Sequence, residues 1–317
     1  MSQTVDAAHR KPGISRVWLE KYSVYRQNPD GGLVNLDFML LNEVLPFRVE
    51  DDYHVKCFRG SEREPFVTFG SGNRLSFVNE WLLDRKARSH DSAEELDAAF
   101  PNTAYRYRIE DAKGINELTL KLGGEDGVTR YPSVPRIRLS QPGSSSGGFR
   151  YEQDLLIQWS AFETGPAPAE DQPLFSGNTI FVLIDNCRGE TVHTSGSGNK
   201  RERMTPTTTD FVVPAHVLEP GMRYTVFVCF IDIRSSHSIT VGDAMISGVA
   251  VNSAVTELAF ATSGDARDSR ECPPLEMRAN FRWPGKLKSA GELLPWPVDD
   301  SGLHLPLARP LRSGSQR

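Results

Sequence analysis

Acidic residues that could catalyse a hydrolysis occur in three close pairs of the sequence. Two such carboxylates serve a glycosidase when burial raises the pKa of one of them. None of the pairs lies inside an apolar run that would remove its carboxylates from water. We therefore predict no catalytic residue among them; the pairs are Asp51–Asp52, Glu62 with Glu64, and Glu125–Asp126.

The histidines and cysteines lack the spacing that is typical of a metal site. Seven histidines, at positions 9, 54, 90, 193, 216, 237 and 304, include no close pair of ligands. The four cysteines, at 57, 187, 229 and 272, are also far apart. Because Cys187 and Cys229 fall in apparent core strands, we expect buried thiols there, with a disulfide as the alternative. No glycine-rich segment carries the lysine of a phosphate-binding loop, so we predict neither metal ion nor cofactor.

The composition and charge of the chain argue against nucleic acid as a partner and against a membrane span. The 317 residues carry a net charge of −5 and a pI near 5.9, and this mild acidity provides no basic field for nucleic acid. No run of apolar residues approaches the 18 or more that a membrane helix needs. Residues 1–13 are polar, so we expect a disordered N-terminus and no signal peptide in the chain as given.

Residues 14–131 are predicted to form a mostly-β domain. Apolar residues alternate with a period of two from Val17 onward, and Asn28–Gly32 has the Pro, Asp and Gly composition of a hairpin turn. One helix is expected near residues 92–99, where Ser92 can cap the first turn and Glu95 can reach back to it. A connector with two prolines, 132–135, marks the predicted domain boundary.

Residues 132–264 are predicted to form a second, seven-stranded β-sandwich. Trp159 and its neighbours on one strand should face Tyr224 and its neighbours on another across the core. Pro220 and Gly221 should turn the chain sharply, so that the Tyr224 hydroxyl can bond the backbone of the corner. We assign structural roles to Trp159, Pro220, Gly221 and Tyr224.

Residues 265–317 have a different character. Seven prolines interrupt this segment, its apolar residues lack a period, and we expect an extended, proline-rich tail. Trp283 and Trp296 stand out there, because a fully solvated tail seldom contains tryptophan. We expect them to attach the tail to a domain or to dock on a partner.

The second domain resembles a fibronectin type III module, which is an immunoglobulin-like sandwich of seven strands. The resemblance rests on the opening strand, the second strand, the corner and the last strand, in that order. The matching residues are Pro135, Ile137, Leu139, Trp159, Leu218, Pro220, Gly221, Tyr224, Val226, Val228, Phe260 and Thr262.

A wider pattern over residues 96–264 is similar to repeated β-modules of large uncharacterised bacterial secreted or surface proteins. Its residues are Leu96–Pro101 with Tyr105, Tyr131–Pro135, Trp159–Phe162 and Val213–Gly221. The resemblance implies an extracellular or cell-surface location. It supplies no activity, and the oligomeric state stays open.

Three long connections of the second domain should gather at one pole of the sandwich. They are residues 163–178, 195–206 and 232–256. Loops at such a pole either pack against the first domain or recognise a ligand. If they bind, the candidate residues are Lys200, Arg201, Arg203, Glu170, Asp171, Arg234 and His237.

Two hypotheses about function follow from the sequence. The first is a non-catalytic surface or secreted module that binds a protein or carbohydrate partner or acts as a structural spacer. The second is a carbohydrate-active hydrolase whose acids lie in the first domain or in the cleft between the domains.

Overall fold

The protein is an all-β structure with one short helix. Its computed structural model describes residues 13–46, 53–70, 76–78, 81–111, 114–123, 131–142, 148–163, 178–195, 204–241 and 244–264. The predicted proline-rich tail and residues 1–12 of the predicted disordered N-terminus lie outside these ranges. The elements are β1 (Ile14–Gln27), β2 (Leu33–Pro46), β3 (His54–Arg59), β4 (Val67–Gly70), β5 (Ser76–Val78), β6 (Trp81–His90), α1 (Ala93–Ala99), β7 (Ala104–Asp111), β8 (Gly114–Lys121), β9 (Ile137–Ser140), β10 (Leu155–Trp159), β11 (Thr179–Asn186), β12 (Thr191–Thr194), β13 (Asp210–Val213), β14 (Arg223–Val241) and β15 (Ala244–Ala261).

Eight strands form one long sheet, in the order β12-β11-β14-β15-β1-β2-β6-β5. Strands β14 and β15 are antiparallel neighbours of 19 and 18 residues. Strand β1 lies parallel to β15, with Arg16–Gln27 paired to Ser247–Leu258. At about 3.3 Å per residue, β14 spans roughly 60 Å. The sheet therefore contains residues from both predicted domains.

Two smaller sheets pack on the same face of the long sheet. The sheet β4-β3-β7-β8 encloses a first core, and the sheet β13-β10-β9 encloses a second. Ala250 belongs to the first core and Leu258 to the second. Since these residues of β15 are an even number of positions apart, they point to one face, which we call the inner face. We call the region around the first core the amino-terminal half and the region around the second the sandwich half.

The sandwich half confirms the predicted seven strands. Three of them, β9, β10 and β13, face the other four, β11, β12, β14 and β15. Trp159 and Tyr224 lie in the same buried core, 6% and 3% exposed. The indole N–H of Trp159 donates to the carbonyl of Thr208 at 2.9 Å, which satisfies the ring's polar group.

The predicted corner is also confirmed. The Tyr224 hydroxyl accepts a hydrogen bond from the backbone N–H of Glu219 at 2.7 Å. Gly221 has a φ of +64°, a conformation that side chains disfavour, and this explains why glycine follows Pro220. The Tyr224 ring stacks on Phe260 with their centroids 5.4 Å apart, so the corner is tied to the last strand.

The predicted long loop over residues 232–256 is wrong. Residues 232–241 continue β14 and residues 244–256 belong to β15, and these strands are paired from Arg223 with Ala261 to Val241 with Ala244. A register shift between Ile233 and Ser235 leaves Arg234 as the extra residue of a β-bulge. Before the bulge, even-numbered residues of β14 face inward, and after it odd-numbered residues do. This change of phase makes one strand look like the end of a strand followed by a loop.

The turn and the serine cap predicted within residues 14–131 are confirmed. The turn between β1 and β2 is closed by the N–H of Asn28, which donates to the carbonyl of Gly32 at 2.8 Å. The Ser92 hydroxyl caps α1 by accepting from the N–H of Glu95 at 3.1 Å. The Glu95 carboxylate in turn accepts from the N–H of Asp91 at 3.2 Å. The serine cap is thus formed as predicted, whereas the Glu95 carboxylate bonds the N–H of Asp91 and not that of Ser92.

The cysteines divide into two kinds. Cys57 and Cys229 are free and buried, and burial raises the pKa of both thiols. Cys187 is disulfide-bonded, so the disulfide and not the free thiol is the state observed for this residue. Its Sγ lies just beyond the end of β11, 3.3 Å from Sδ of Met222.

Candidate functional site at the junction of the two halves

The most unusual polar group of the described residues is Lys21, whose side chain is fully buried. It lies on the inner face of β1, in phase with the core residues Val17 and Leu19. Its Nζ donates to Oδ1 of Asp97 at 2.5 Å and to Oδ1 of Asn102 at 2.8 Å. The hydroxyl of Tyr131 donates to the same Asp97 oxygen at 2.9 Å. We call Lys21, Asp97, Asn102 and Tyr131 the junction cluster.

The junction cluster joins four separate parts of the chain. Lys21 comes from β1, Asp97 from α1 and Asn102 from the turn after α1, while Tyr131 directly precedes the connector 132–135. Burial lowers the pKa of Lys21, and the hydrogen bond and charge of Asp97 oppose this effect. Burial first, and then the charge of Asp97, raise the pKa of Tyr131. The arrangement is a hydrogen-bonded ion pair that fastens α1 and the connector to the long sheet.

The connector is fixed to the long sheet at two further points. The side chain of Gln27 both donates to the carbonyl of Ile137, at 2.6 Å, and accepts from its N–H, at 2.7 Å. The Thr256 hydroxyl donates to the carbonyl of Pro135 at 2.6 Å. Gln27 and Thr256 are both buried. The sequence after Tyr131 therefore enters the sandwich half along a path held by side chains of β1 and β15.

Arg234, a predicted binding residue, lies in the bulge of β14 rather than on a loop. Its guanidinium contacts a carboxylate oxygen of Asp232 at 3.0 Å, and the two side chains are 8% and 1% exposed. Burial raises the pKa of Asp232, while the charge and hydrogen bond of Arg234 lower it. Nearby, the N–H of Ile233 donates to Oδ1 of Asn178 at 3.1 Å. Arg234 is thus engaged in stabilising the bulge.

His237, the other predicted binding residue on β14, lies beside the edge of β8. Its Nδ1 is 3.5 Å from the backbone nitrogen of Thr119 and 3.3 Å from the carbonyl oxygen of that residue. Ser235 accepts from the N–H of Lys121 at 2.7 Å. Side chains of β14 therefore occupy backbone groups that β8 would otherwise present to another strand.

The other predicted binding residues lie outside the described residues. They are Lys200, Arg201, Arg203, Glu170 and Asp171. Their role in binding stays a prediction. The structure does not bring Arg234 and His237 to the end of the sandwich, because β14 carries both residues into the amino-terminal half.

The sequence contained a signal for the junction cluster that its motifs did not bring out. Lys21 interrupts an inward-facing row of apolar residues on a strand that is buried on both faces. A charged residue in such a position needs a partner. Sequence alone does not identify Asp97, which lies 76 residues away, as that partner.

Over the described ranges, no group of three or more His, Cys, Asp or Glu residues could hold a metal ion. No helix in the same ranges has the length and apolar character to cross a membrane.

No protein-family model matches the chain, and no curated protein matches it. Similar solved structures include the FN1–FN3 domains of chicken CNTN1, at 10% identity and a TM-score of 0.25, covering 80% of this chain and 67% of that one. The human OSCAR ligand-binding domain has 8% identity and a TM-score of 0.22, covering 75% and 97%. The BSP domain of a biofilm-associated protein has 8% identity and a TM-score of 0.16, covering 82% and 70%. Scores this low carry no argument about function, and the fold assignment rests on the strands themselves.

Proposed function

We propose that the protein is a non-catalytic structural and binding module of a bacterial cell surface or secreted protein. The observation that carries the proposal is the long sheet, because β14 and β15 supply core residues to both halves and β1 pairs with β15 from Arg16 to Gln27. One half cannot move relative to the other without breaking the ladder of backbone hydrogen bonds between these strands. A module of this kind holds its two ends at a fixed relative orientation, which suits a spacer that presents a binding surface.

The bonded state of Cys187 supports a location outside the cytoplasm. Disulfides persist in oxidising compartments and are rare where thiols are kept reduced. Protein isolated from its source without reductant, with free thiols blocked at lysis, should retain the disulfide of Cys187 in mass spectra of its peptides. A reduced Cys187 in that preparation would contradict the proposed location.

The fixed orientation of the halves is tested by thermal unfolding. We expect a single calorimetric transition whose calorimetric and van't Hoff enthalpies agree, because β14 and β15 run through both halves. Two separate transitions in the full chain would overturn the spacer part of the proposal. A variant in the sandwich core, such as Val226→Ala, makes the test sharper. It should lower the midpoint temperature of the single transition and should not split it into two.

The edge of β2 is the described surface that best suits a protein partner. β6 pairs with β2 only from Phe38 onward, and within the described ranges no strand pairs with Leu33–Asp37 on that side. Val34 is 49% exposed and Leu36 is 40% exposed beside this edge. An extended segment of a partner protein can add a strand to such an edge, with main-chain bonds supplying affinity.

This edge can be compared directly with the predicted pole loops in one binding screen. Immobilised protein and glycan panels are probed with the unaltered chain, with Val34→Lys plus Leu36→Lys, and with Lys200→Ala plus Arg201→Ala. Ile115→Lys, at another exposed apolar position, is the matched control. Loss of a protein ligand only in the β2 variant supports the edge. Loss only in the loop variant assigns binding to the pole, and a glycan ligand would identify a carbohydrate partner.

The hydrolase alternative receives less support from the described carboxylates. Two buried aspartates and one partly buried aspartate of the described residues are engaged: Asp185 accepts from the Thr191 hydroxyl at 2.8 Å, Asp232 pairs with Arg234, and Asp97 pairs with Lys21. These partners hold the aspartates in structural roles. Release of reducing sugar from a panel of polysaccharides, if lost on Glu62→Gln plus Glu64→Gln, would favour the hydrolase.

A further inference from the structure

A third group of buried apolar side chains lies on the outer face of the long sheet. Its nine buried members all come from β1, β14 and β15, and the partly buried residues packed against them come from β2, β11 and β14. The first and second cores each combine two sheets, whereas the described members of this outer cluster belong to one. The nine are Trp18, Tyr22, Val24, Cys229, Ile231, Ile233, Val249, Val251 and Val255.

The outer cluster is too well buried for a sheet face that meets water. Trp18 is 6% exposed, Tyr22 is 2% exposed and Val251 is fully buried. Val34 provides an internal standard, because it pairs with Arg26 of the same sheet and is 49% exposed. Large side chains on an uncovered part of this sheet thus reach exposures that the outer cluster does not show. Another part of the molecule must cover the cluster.

We propose that residues 265–317 fold back over the outer face and cover the cluster, with Trp283 and Trp296 as the main contacts. This segment follows Gly264, directly after β15, and β15 supplies three of the nine cluster residues. At about 3.3 Å per residue its extended length is roughly 170 Å, while the cluster extends roughly 20 Å along β15. The segment reaches the cluster many times over.

The composition of residues 265–317 suits that role better than the composition of residues 1–12. It contains two tryptophans, one phenylalanine and eight leucines, whereas residues 1–12 contain no aromatic residue and no leucine. Its seven prolines favour an extended backbone that lies flat on a sheet face. Tryptophan contributes a large apolar area, which explains its presence in a segment otherwise rich in proline and charge.

The states of the four cysteines indicate that a disulfide attaches residues 265–317 to the sandwich half near the start of this segment. Cys187 is bonded, Cys57 and Cys229 are free, and the fourth cysteine of the sequence is Cys272. We infer a Cys187–Cys272 disulfide. A Cβ on Gly264 would lie 3.0 Å from Cβ of Pro220, and Cys187 contacts Met222, so both ends of the intervening chain start from the same corner. Joining the two thiols releases two protons and two electrons. Another disulfide takes these up in thiol–disulfide exchange and is itself reduced to two thiols.

Cys229 is a built-in reporter of the cover, and Cys57 is its matched control. Cys229 belongs to the outer cluster, and Cys57 lies in the first core between two sheets. We compare alkylation of both thiols by N-ethylmaleimide, under native conditions, in the full chain and in a full chain with Trp283→Asp plus Trp296→Asp. Ser289→Asp plus Ser301→Asp makes the same change of charge in the segment without removing apolar contacts.

The proposal predicts slow alkylation of both thiols in the unaltered chain. In the tryptophan variant Cys229 should react at least tenfold faster while Cys57 stays slow, and the serine variant should behave like the unaltered chain. Slow Cys57 alkylation and an unchanged far-ultraviolet circular dichroism spectrum show that the variant is folded. Equal Cys229 rates in all three proteins would overturn the proposal. Protection of Cys229 that weakens on dilution, with a dimer in sedimentation, would assign the cover to a second copy instead.

The disulfide is tested separately. Peptide mapping without reductant should yield a Cys187–Cys272 pair, and in Cys272→Ser the Cys187 thiol should become available to alkylation. A Cys187 linked to any other thiol would overturn the inferred pairing and leave the test with Cys229 unaffected.

Discussion

The sandwich half and the amino-terminal half differ in how far along the chain their stabilising contacts reach. The core of the sandwich half is built wholly from residues between Ile137 and Phe260. The core of the amino-terminal half combines residues from Ile14 to Leu122 with Val241, Ile246 and Ala250 from the hairpin. Its central polar contact joins residues 76 positions apart, while the corner bond of the sandwich joins residues five apart. One half is complete within its own segment, and the other depends on a distant one.

The largest expected effect comes from separating the two segments. Residues 1–131 expressed alone should not fold, because the fragment lacks three core residues and β15, which pairs with β1 on the side opposite β2. Residues 132–264 keep every member of the sandwich core and should retain dispersed side-chain signals in NMR spectra. The same experiment tests the predicted boundary at 131–132. A folded 1–131 fragment would remove the asymmetry between the halves, and co-expression of the two fragments should restore structure to the first.

Removing the partner of Lys21 should have the next largest effect. Asp97→Ala leaves a fully buried ammonium group without its counter-charge, which costs about 3 kcal/mol in the free energy of unfolding. Glu62→Ala is the matched control, because the exposed Arg59–Glu62 pair should contribute about 0.5 kcal/mol or less. Urea denaturation at pH 7 measures both. Equal losses in the two variants would contradict the assigned role of the junction cluster.

The same variant should depend on pH in a definite direction. The pKa of Lys21 is lowered in the folded protein, so the unfolded state binds more protons between the folded pKa and 10.5. Stability from this group therefore rises as pH increases through that window. Without Asp97 the pKa of Lys21 falls further. The loss of unfolding free energy caused by Asp97→Ala should therefore be smaller at pH 10 than at pH 7.

A smaller effect is expected where β15 passes closely over β8. A Cβ on Gly248 would lie 2.5 Å from Cδ2 of Leu118 and 3.0 Å from Cγ2 of Val17. Gly248→Val should therefore destabilise the protein by about 2 kcal/mol through overpacking. Ala259→Val adds bulk at an exposed position of the same strand, in the sandwich half, and should change stability by less than about 0.5 kcal/mol. Similar losses of stability in the two variants would show that the two halves tolerate added side-chain volume equally.

The smallest effect is expected at the corner of the sandwich half. Tyr224→Phe removes the acceptor for the N–H of Glu219 and should cost about 1 kcal/mol. Burial raises the pKa of Tyr224 to about 12, so its contribution is complete below pH 10 and declines as pH rises toward 12. The phenylalanine variant should lack this decline. Tyr105→Phe, which removes a bond to the carbonyl of Pro101, is the counterpart in the other half.

Sequence reasoning succeeded where the determining residues are close together. The Asn28–Gly32 turn, the cap at Ser92 and the corner at Tyr224 each involve neighbours within a few positions. It failed for residues 232–241, because the bulge at Arg234 changes the phase of alternation and the serines and histidine that follow look like a loop. The parallel pairing of β1 with β15 was also missed, since no local pattern specifies which distant strand a buried strand will join.

The parallel pairing of β1 with β15 has a mechanical consequence. Tension applied between residues 14 and 261 would pull these neighbouring strands in opposite directions along their length. All twelve residue pairs of the β1–β15 ladder would then be loaded together in shear, instead of opening one after another like a zipper. A chain arranged in this way resists stretching through the joint that unites its halves, and the weaker elements outside the joint would extend first.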